Sequence, residues 1–478
     1  MAITLDQGRG GDIKIDAETI ALRSTDELSS ETIRGLSLAI GLSAIVTETL
    51  REGDAGSLEI NTHHLSVEGG SQINTFNYGG TGNAGDITVN ANLVYIAGVS
   101  RALLAIVGVP APAPSALSSG TLEEGNGGIL RLTTDRLILK DGGEVSSFSR
   151  GSGDAGSIII TALESIEIMG RCDCDIRNDS SSIRAGALFA TSGNRLPPTG
   201  DAGSIVITTP KLLVKDGGII GVNNEGPGDA GSLMIVAPII QLIDGGQLTA
   251  EVQSGQFGNI EINTQNIQLR RNSQITTNAA QTTAGGNIFI TTSLLTALEN
   301  SDISANSLGG PGGRVRIAAQ GIFGATPRRE LTPGSDITAS SALGPEFDGQ
   351  VELSILEVDP SRGLLATLPD FPDLPLVEDS CRSGTSSHYR DLGRGGLPMD
   401  AGGTLPIMGG WSDSLAPIAR DPDTTPIVPT AIVEASHWHR NDAGQIELVG
   451  VNPLTQLERS QTQNSCPSLQ LISNREES

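Results

Sequence analysis

The sequence predicts an all-β protein, a right-handed single-stranded parallel β-helix of about eleven coils followed by a small irregular C-terminal module. Three observations support this fold class. A glycine-rich motif recurs along most of the 478 residues, alternating apolar residues follow each copy, and the base spacing is about 28 residues. That length accommodates three short strands and three turns, which make one coil of such a helix. The handedness follows from the strong bias of parallel crossover connections.

Each repeat opens with the pattern G-x-[A/G]-G-x-φ-x-φ, in which φ is aliphatic. The clear copies begin at Gly8, Gly53, Gly82, Gly125, Gly153, Gly200, Gly228 and Gly310, and degenerate copies begin at Gly255, Thr283 and Glu346. A second block lies later in the repeat, such as "DGGQLTAE" from Asp244, and an apolar stretch such as "KLLV" from Lys211 lies between the two. Each repeat therefore contains three segments with the alternation of a half-buried strand.

The alternation also predicts which side chains form the core. The first aliphatic residue after each glycine motif is expected to point inward and to stack on its equivalent in the next coil. These residues are Ile13, Leu58, Ile87, Leu130, Ile158, Ile205, Leu233, Ile260, Ile288 and Val315. Glycine is expected at the corners because sharp turns need positive φ. The polar residues beside it are expected to hydrogen-bond the turn backbone.

Two regions of different composition are predicted. Residues 1–358 form the repeat domain, with insertions near 24–52, 99–124, 170–199 and 319–345 that are expected to leave the rod as loops. Residues 359–478 are Pro-rich and are predicted to be a capping module, because the last coil of a solenoid exposes its core and its pairing edge. Within this module, "IVEASHWHRNDAGQIELVG" predicts two strands around an Asp-Ala-Gly turn. Cys381 and Cys466 bracket it, and the sequence is consistent with a disulfide or with two free thiols.

Three other repeat folds fit the sequence less well. A β-propeller needs longer four-stranded repeats with aromatic signatures, whereas only 3% of the residues here are aromatic. The frame of a leucine-rich repeat is absent. A calcium-binding nonapeptide roll needs an acidic ligand where "GGPGGRVRI" has Arg314 and Val315. No calcium site is therefore predicted.

Composition disfavours several classes of partner. The chain has 55 acidic and 30 basic residues and a formal net charge of −25, which disfavours binding to nucleic acid and to anionic membrane surfaces. No apolar run of about 18 residues predicts a membrane span. The N-terminus lacks the basic start and apolar core of a signal peptide, so none is expected in this chain.

No catalytic, cofactor-binding or metal-binding residue is predicted. Four acidic residues recur at one position of the repeat, which indicates a turn role, because a catalytic pair is local and singular. They are Asp54, Asp154, Asp201 and Asp229. Weaker candidates for metal ligands are His63 with His64, the "RCDCD" run with Cys172, Asp173, Cys174 and Asp175, and "HWH" with His437 and His439. Adjacent residues of a strand point to opposite faces, so His63 and His64 are not expected to bind one metal ion together. A zinc site normally has three or four ligands, more than the pair His437 and His439 provides.

The C-terminal region resembles a known family. "GRGGLP" from Gly393 to Pro398, a Trp-Ser-Asp segment and "IVEASHWHRNDAGQIELV" resemble the end of filamentous haemagglutinin-like exoproteins of two-partner secretion, of the cyanobacterial type. The "GDAGSI" coils with "GSQI" and "GSDI" turns look like the β-helical stalk of that family. The resemblance implies an adhesive protein at the cell surface (outer membrane) or outside the cell. It also implies an outer-membrane transporter as partner, through a secretion domain that this chain lacks, so we expect a C-terminal part of a split or mis-started gene.

Three function classes follow. A non-catalytic structural or adhesive scaffold is favoured by the repetition and the resemblance. A polysaccharide-active β-helix enzyme, a lyase or hydrolase, would need four or more charged side chains converging in one groove. A carbohydrate-binding module would need exposed aromatic side chains on successive coils. Phe76, Tyr78, Phe148, Phe189 and Phe257 are too scattered in sequence to predict one.

Recognition of surface glycans or other cells is expected in the insertions, notably 99–124 and 170–199, because loops tolerate change where stacked strands do not. On this interpretation, deletion of residues 172–195 is expected to leave the thermal stability nearly unchanged while reducing attachment.

Overall fold

A computed structural model describes residues 2–4, 8–24, 29–33, 36–40, 43–100, 113–172, 180–187, 198–255, 258–355, 435–440 and 446–450. Within these ranges the secondary structure is almost entirely β-strand, with one 3₁₀ turn at Pro345–Phe347 and no α-helix. The chain divides into two compact units, Met1–Phe371 and Pro372–Ser478. The first unit is built on two long sheets whose neighbouring strands pair in parallel. The predicted fold class, an all-β parallel β-helix, is confirmed.

Coils 1 to 11 begin at the eleven repeat starts given above. Coils 1 to 10 have three strand segments, and coil 11 has segment 1 among the described residues. Segments 1 and 2 form a 15-stranded sheet and are fused into one long bent strand in several coils. Its strands are β2 (Ile13–Asp16), β3 (Thr19–Arg23), β7 (Leu58–Glu68), β9 (Ile87–Ala97), β13 (Leu130–Lys140), β15 (Ile158–Met169), β17 (Ile205–Thr208), β18 (Lys211–Lys215), β20 (Ser232–Val236), β21 (Ile239–Ile243), β23 (Asn259–Asn263), β24 (Asn266–Arg270), β26 (Asn287–Leu298), β28 (Arg314–Phe323) and β31 (Gln350–Ile355).

Segment 3 forms a separate 12-stranded sheet. Its strands are β1 (Ala2–Thr4), β6 (Ala44–Thr49), β8 (Gln72–Asn77), β12 (Ala116–Thr121), β14 (Glu144–Ser149), β16 (Ser182–Ala187), β19 (Ile219–Gly221), β22 (Gln247–Thr249), β25 (Gln274–Thr276), β27 (Asp302–Ser304), β29 (Ala325–Pro327) and β30 (Ser335–Thr338). The segment-3 strands of coils 1–5 are six residues long, whereas those of coils 6–9 are three residues long.

The predicted inward column is confirmed. Its ten members pair residue by residue from Ile13 to Val315, and the column continues to Val351. Nine members are buried, and Ile13, in the first coil, is half-buried. Burial of each such aliphatic side chain contributes about 1.5–3 kcal/mol relative to exposure. The alternation in the sequence therefore sets the register, since a shift by one residue would turn the whole column toward water.

The glycines of the repeat motif are required by close packing between coils, and the expectation of positive φ at them was wrong. A Cβ placed on Gly203 would overlap the carbonyl oxygen of Gly156, its equivalent one coil earlier, and Gly156 stands in the same relation to Gly128. Positive φ occurs at a different corner, between segments 2 and 3, which we call the Asp-Gly corner. There Asp216 and Gly217 have φ of 54° and 77°, and Gly217 N donates to Asp244 O of the next coil at 2.9 Å.

The predicted insertions are shorter than their sequence ranges, because each range contains a strand of the segment-3 sheet. Strands β6, β12, β16 and β30 lie inside 24–52, 99–124, 170–199 and 319–345 respectively. The extra residues of the first two ranges leave at the Asp-Gly corner of coils 1 and 3, and those of the third range are divided between the Asp-Gly corner of coil 5, before β16, and the part of the chain between β16 and Gly200. In two of them the roots pair in antiparallel fashion, through β10 (Val99–Ser100) with β11 (Ala113–Pro114) and through a bridge between Arg171 and Ser180.

Three further features complete the described strands. The first insertion contains an antiparallel pair, β4 (Ser29–Ile33) with β5 (Leu36–Ile40). The fourth contains β29, which pairs with β30 as the last strand of the segment-3 sheet. In the second unit, β32 (Ala435–Arg440) pairs with β33 (Ile446–Gly450) in antiparallel fashion. The two strands predicted in that segment are therefore confirmed, while the turn between them lies outside the described residues.

Candidate functional site

The outer surface of coils 1–5 carries a polar groove where segment 1 bends into segment 2. Its volume is about 530 Å³. We call it the Asn–Asp groove and define it by the residues Asp16, Asn61, His63, Asn90, Asn92, Thr133, Asp135 and Leu163. Ala17 and Ala91 contribute small apolar side chains to the lining. Leu163, which is 65% exposed, lies at the coil-5 end.

The sheet register places the polar side chains of the groove in one outward column. Asp16 pairs with Asn61, Asn61 with Asn90, and Asn90 with Thr133. These positions alternate with the buried aliphatic residues, so their side chains point away from the core. The column continues through Thr161 and Thr208 to Val236, which interrupts the polar series before Asn263.

Hydrogen bonds inside the groove join side chains to one another. Asn61 Nδ2 donates to Asp16 Oδ1 at 2.7 Å, and Asn90 Nδ2 donates to Asn61 Oδ1 at 2.9 Å. Asn92 Nδ2 donates to Asp135 Oδ2 at 2.6 Å. Within the described coils these five side chains make no hydrogen bond to the backbone. Asn61 Nδ2 also donates to Glu59 Oε1 at 3.2 Å, outside the groove, and the second oxygen of each carboxylate has no protein donor among the described residues.

The repeated acidic residues of the glycine motif behave differently. Asp154 Oδ1 accepts a hydrogen bond from Asp201 N at 2.9 Å, and Asp201 Oδ1 accepts one from Asp229 N at 2.8 Å. Asn83 and Asn126 continue this ladder in coils 3 and 4 and connect Asp54 to Asp154. Each side chain therefore bonds the backbone of the next coil, and the four predicted turn residues lie along one corner, one to a coil.

A second groove contains converging charged side chains, the feature that the polysaccharide-active enzyme alternative requires. It lies at the Asp-Gly corner of coils 5–9, has a volume of about 590 Å³, and is lined by Arg171, Asp216, Asp244, Arg271 and Glu299 among others. We call it the charged corner. Arg271 binds both carboxylate oxygens of Asp244.

The charged corner lacks the split titration of a catalytic acid–base pair. The hydrogen bond from Arg271 lowers the pKa of Asp244, and the hydrogen bond from Arg270 lowers the pKa of Glu299. Asp216 lies 3.3 Å from Lys215 Nζ. All three carboxylates are thus paired with cations, and the lowered pKa values of Asp244 and Glu299 do not keep a carboxyl protonated near neutral pH, as a general acid requires.

Coils 2–4 bring together three aromatic rings, two from coil 2 and one from coil 4. The Phe76 ring lies 5.9 Å from Tyr78 and 5.5 Å from Phe148, both edge to face. Phe148 covers Gly120, whose missing side chain leaves room for the ring between coils 2 and 4. Sequence reasoning missed this cluster because it did not use the register in which residues 76, 120 and 148 form one column. Phe189 and Phe257 lie outside the described residues.

The aromatic cluster packs against a buried polar pair. Tyr78 Oη lies 3.2 Å from Glu48 Oε1, and the guanidinium of Arg150 lies 5.0 Å from the centre of the Phe148 ring. Burial raises the pKa of Glu48 and, together with the Glu48 charge, raises the pKa of Tyr78. All of these side chains are half-buried, so the cluster stabilises the wall of coils 2–4 more than it presents a flat stacking surface.

The histidine and cysteine candidates are separated in the structure. His63 and His64 lie within β7 at its bend, where alternation is interrupted and both side chains are exposed, so the expectation of opposite faces was wrong. His437 and His439 both lie in β32. Cys172 is buried and disulfide-bonded, while Asp173, Cys174, Asp175, Cys381 and Cys466 lie outside the described residues. In the described part of the chain, no three His, Cys, Asp or Glu side chains are grouped to hold a metal ion.

The chain matches no protein-family model, no curated protein and no solved structure. Among the described residues, no helix has the length and apolar character needed to cross a membrane. The described surface offers hydrogen-bonding groups in the Asn–Asp groove, paired charges at the Asp-Gly corner, and insertions at that same corner.

Proposed function

We propose that this protein is a non-catalytic structural and adhesive scaffold of the filamentous haemagglutinin-like kind, located at the cell surface or outside the cell. The observation that carries the proposal is the common origin of the insertions of coils 1, 3 and 5. The insertions of coils 1 and 3 and the part of the coil-5 insertion that precedes β16 leave at the Asp-Gly corner, so the helix holds them along one side, one in every second coil. Rigid presentation of variable segments on a regular support suits recognition of a surface.

The polar groups of the repeat support the scaffold interpretation. The acidic residues of the glycine motif accept hydrogen bonds from the backbone of the next coil, and those of the charged corner are ion-paired. These groups hold coils together. The disulfide at Cys172 is in keeping with an oxidising compartment such as the cell exterior.

A deletion in coil 3 tests the adhesive role. Residues 101–112 can be replaced by Asn-Gly, because Ser100 and Ala113 pair in antiparallel fashion and a two-residue turn suits that geometry. We expect an unchanged thermal midpoint and reduced attachment of the purified chain to cells or polysaccharide-coated surfaces. A Gly/Ser segment of the original length is the control for the sequence of the insertion. The proposal is contradicted if attachment survives the replacement of residues 101–112 by Asn-Gly and by the Gly/Ser segment, and also survives the matching replacement of residues 173–179.

The larger deletion of residues 172–195 does not test it, and the expectation that stability would be kept was wrong. That range contains β16, which pairs with β14 on one side and β19 on the other. Its removal interrupts the segment-3 sheet, so any loss of attachment would be confounded by unfolding. The enzyme alternative has a separate test, since release of reducing or unsaturated sugar from acidic polysaccharides by the purified chain would overturn the non-catalytic assignment.

A further inference from the structure

We propose that the Asn–Asp groove binds a neutral polysaccharide that lies along the helix axis. The inference rests on the proposed adhesive function and names a ligand class for one face of the scaffold. Its starting point is the difference between two sets of amide and carboxylate side chains. Those of the glycine corner bond the backbone of the next coil, whereas those of the groove bond other side chains and, among the described residues, no backbone group.

Side chains that hold no backbone group are dispensable for coil stacking. At the same outward column, coils 5, 6 and 7 have Thr161, Thr208 and Val236, and these coils pair as well as coils 1–4 do. The fold therefore does not require amides at Asn61 and Asn90. Their position at the bottom of a groove indicates a role in binding.

The geometry suits a linear polymer of hydroxyl-bearing units. Four successive coils contribute Asp16, Asn61, Asn90 and Thr133, one residue per coil, at intervals of about 4.8 Å. An extended sugar chain advances by a comparable distance per ring, so one ring faces each coil. Amide, carboxylate and hydroxyl groups donate to and accept from sugar hydroxyls. Ala17, Ala91 and Leu163 supply apolar contacts for the faces of the rings.

The charge of the groove selects against acidic glycans. Asp16 and Asp135 form no ion pair in the described part of the chain, and no lysine or arginine lines the groove. An anionic polymer would meet two uncompensated carboxylates as well as the net charge of −25 on the whole chain. A neutral glycan meets neither penalty, and its carbon-bound hydroxyls can donate to the free carboxylate oxygens.

Calorimetry with the full chain tests the assignment. The probes are neutral β-linked hexose oligosaccharides of increasing length, with polygalacturonate as the acidic comparison. We expect affinity to rise with length until the oligosaccharide spans the four coils, and then to level off. Because the ligand is uncharged, added salt should have little effect. Tight, salt-sensitive binding of polygalacturonate with no binding of neutral oligosaccharides would overturn the assignment.

Two substitutions locate the site. Asn90→Ala should lower the affinity about fivefold, the effect of one neutral hydrogen bond, and Asn61→Ala together with Asn90→Ala should lower it further. Asn263→Ala is the matched control, since Asn263 occupies the same outward column in coil 8 beyond Val236 and is exposed. We expect all variants to keep the wild-type thermal midpoint, because these side chains hold no backbone group.

The outcomes separate this inference from the proposed function. Equal losses from the groove variants and from Asn263→Ala would overturn the groove assignment. Undiminished glycan binding by the double variant would do the same, and neither result bears on adhesion through the insertions. Loss of cell attachment on replacing residues 101–112, with groove binding intact, would support both proposals as independent surfaces of one scaffold.

Discussion

Coils 1–5 and coils 6–10 share one core and differ on the outside. The inward column runs through both halves without interruption, from Ile13 to Val315. In coils 1–5 the repeat starts are unevenly spaced, and three insertions, the aromatic cluster and the Asn–Asp groove are found there. From Gly200 to Gly310 the starts are 27 or 28 residues apart.

The difference shows which residues are free to vary. Inward aliphatic residues and corner glycines are fixed by contact with the coils above and below, so both halves keep them. Outward residues contact only solvent or a ligand, so their identity is less restricted. The two halves differ at these outward positions. The polar column is interrupted by Val236 in coil 7, where Met234 and Ile239 are also exposed. Under the proposed function, we therefore place recognition in the irregular half.

The shared core can be tested at the boundary between the halves. Ile205→Asp puts a charge into a site with no exposed surface, and we expect a loss of about 3–5 kcal/mol in unfolding free energy, because the charge has no partner. Chemical denaturation measures it. Val206→Asp is the control, since the neighbouring side chain points outward, and it should cost less than about 1 kcal/mol. Equal losses from the two variants would show that the halves do not share this column.

Close packing at the glycine corner is the second shared requirement. A Cβ on Gly203 would overlap the carbonyl oxygen of Gly156, whereas a Cβ on Gly11, at the same repeat position in coil 1, would lie 3.8 Å from its nearest neighbour. We expect Gly203→Ala to cost about 1–3 kcal/mol through displaced backbone. Gly11→Ala should be nearly neutral in the same denaturation assay. If Gly203→Ala leaves the free energy of unfolding unchanged, the spacing between coils can increase at little cost.

The sequence predicted the fold because its determinants are local and repeated. Alternation placed Leu58 and Ile158 inward, and the glycine motif marked every coil, so the register followed without long-range information. The segment-3 strands β6, β12 and β16 were assigned to insertions because their sequences lack the Asp-Gly block. The aromatic cluster and the Asn–Asp groove were missed because they depend on which outward residues meet across coils, and insertions of unequal length hide that register in the sequence.

The ladder of side chains at the glycine corner crosses the boundary between the halves and has a smaller expected effect. Asp201→Ala removes the acceptor for the backbone N–H of Asp229, and we expect a loss of about 1 kcal/mol because Asp201 is exposed to water. Asp201→Asn should restore stability, since Asn83 and Asn126 fill the same role in coils 3 and 4. The unfolding midpoints of the two variants, compared with that of the wild type, test this expectation. If the asparagine variant is as unstable as the alanine variant, charge at this corner matters more than the hydrogen bond.

The smallest expected effect has opposite signs in the two halves and concerns the second inward residue of segment 3. In coil 2 this residue is Thr75, whose hydroxyl donates to Gly85 O at 2.6 Å. In coil 8 it is Thr277, whose buried hydroxyl has no hydrogen-bond partner among the described residues. The neighbouring coils 6 and 7 have Val222 and Ala250 there, both fully buried, so the regular half provides an apolar environment at this position.

Thr277→Val keeps the shape and removes an unpaired polar group, and we expect a gain of about 0.5–1 kcal/mol in unfolding free energy. Thr75→Val should lose up to about 0.5 kcal/mol, because it removes one of the two hydroxyl donors to the Gly85 carbonyl and leaves Ser119 Oγ, at 3.0 Å, as the other. Paired denaturation curves test the sign, and a loss in both variants would show that coil 8 satisfies its threonine as coil 2 does, which would remove this difference between the halves.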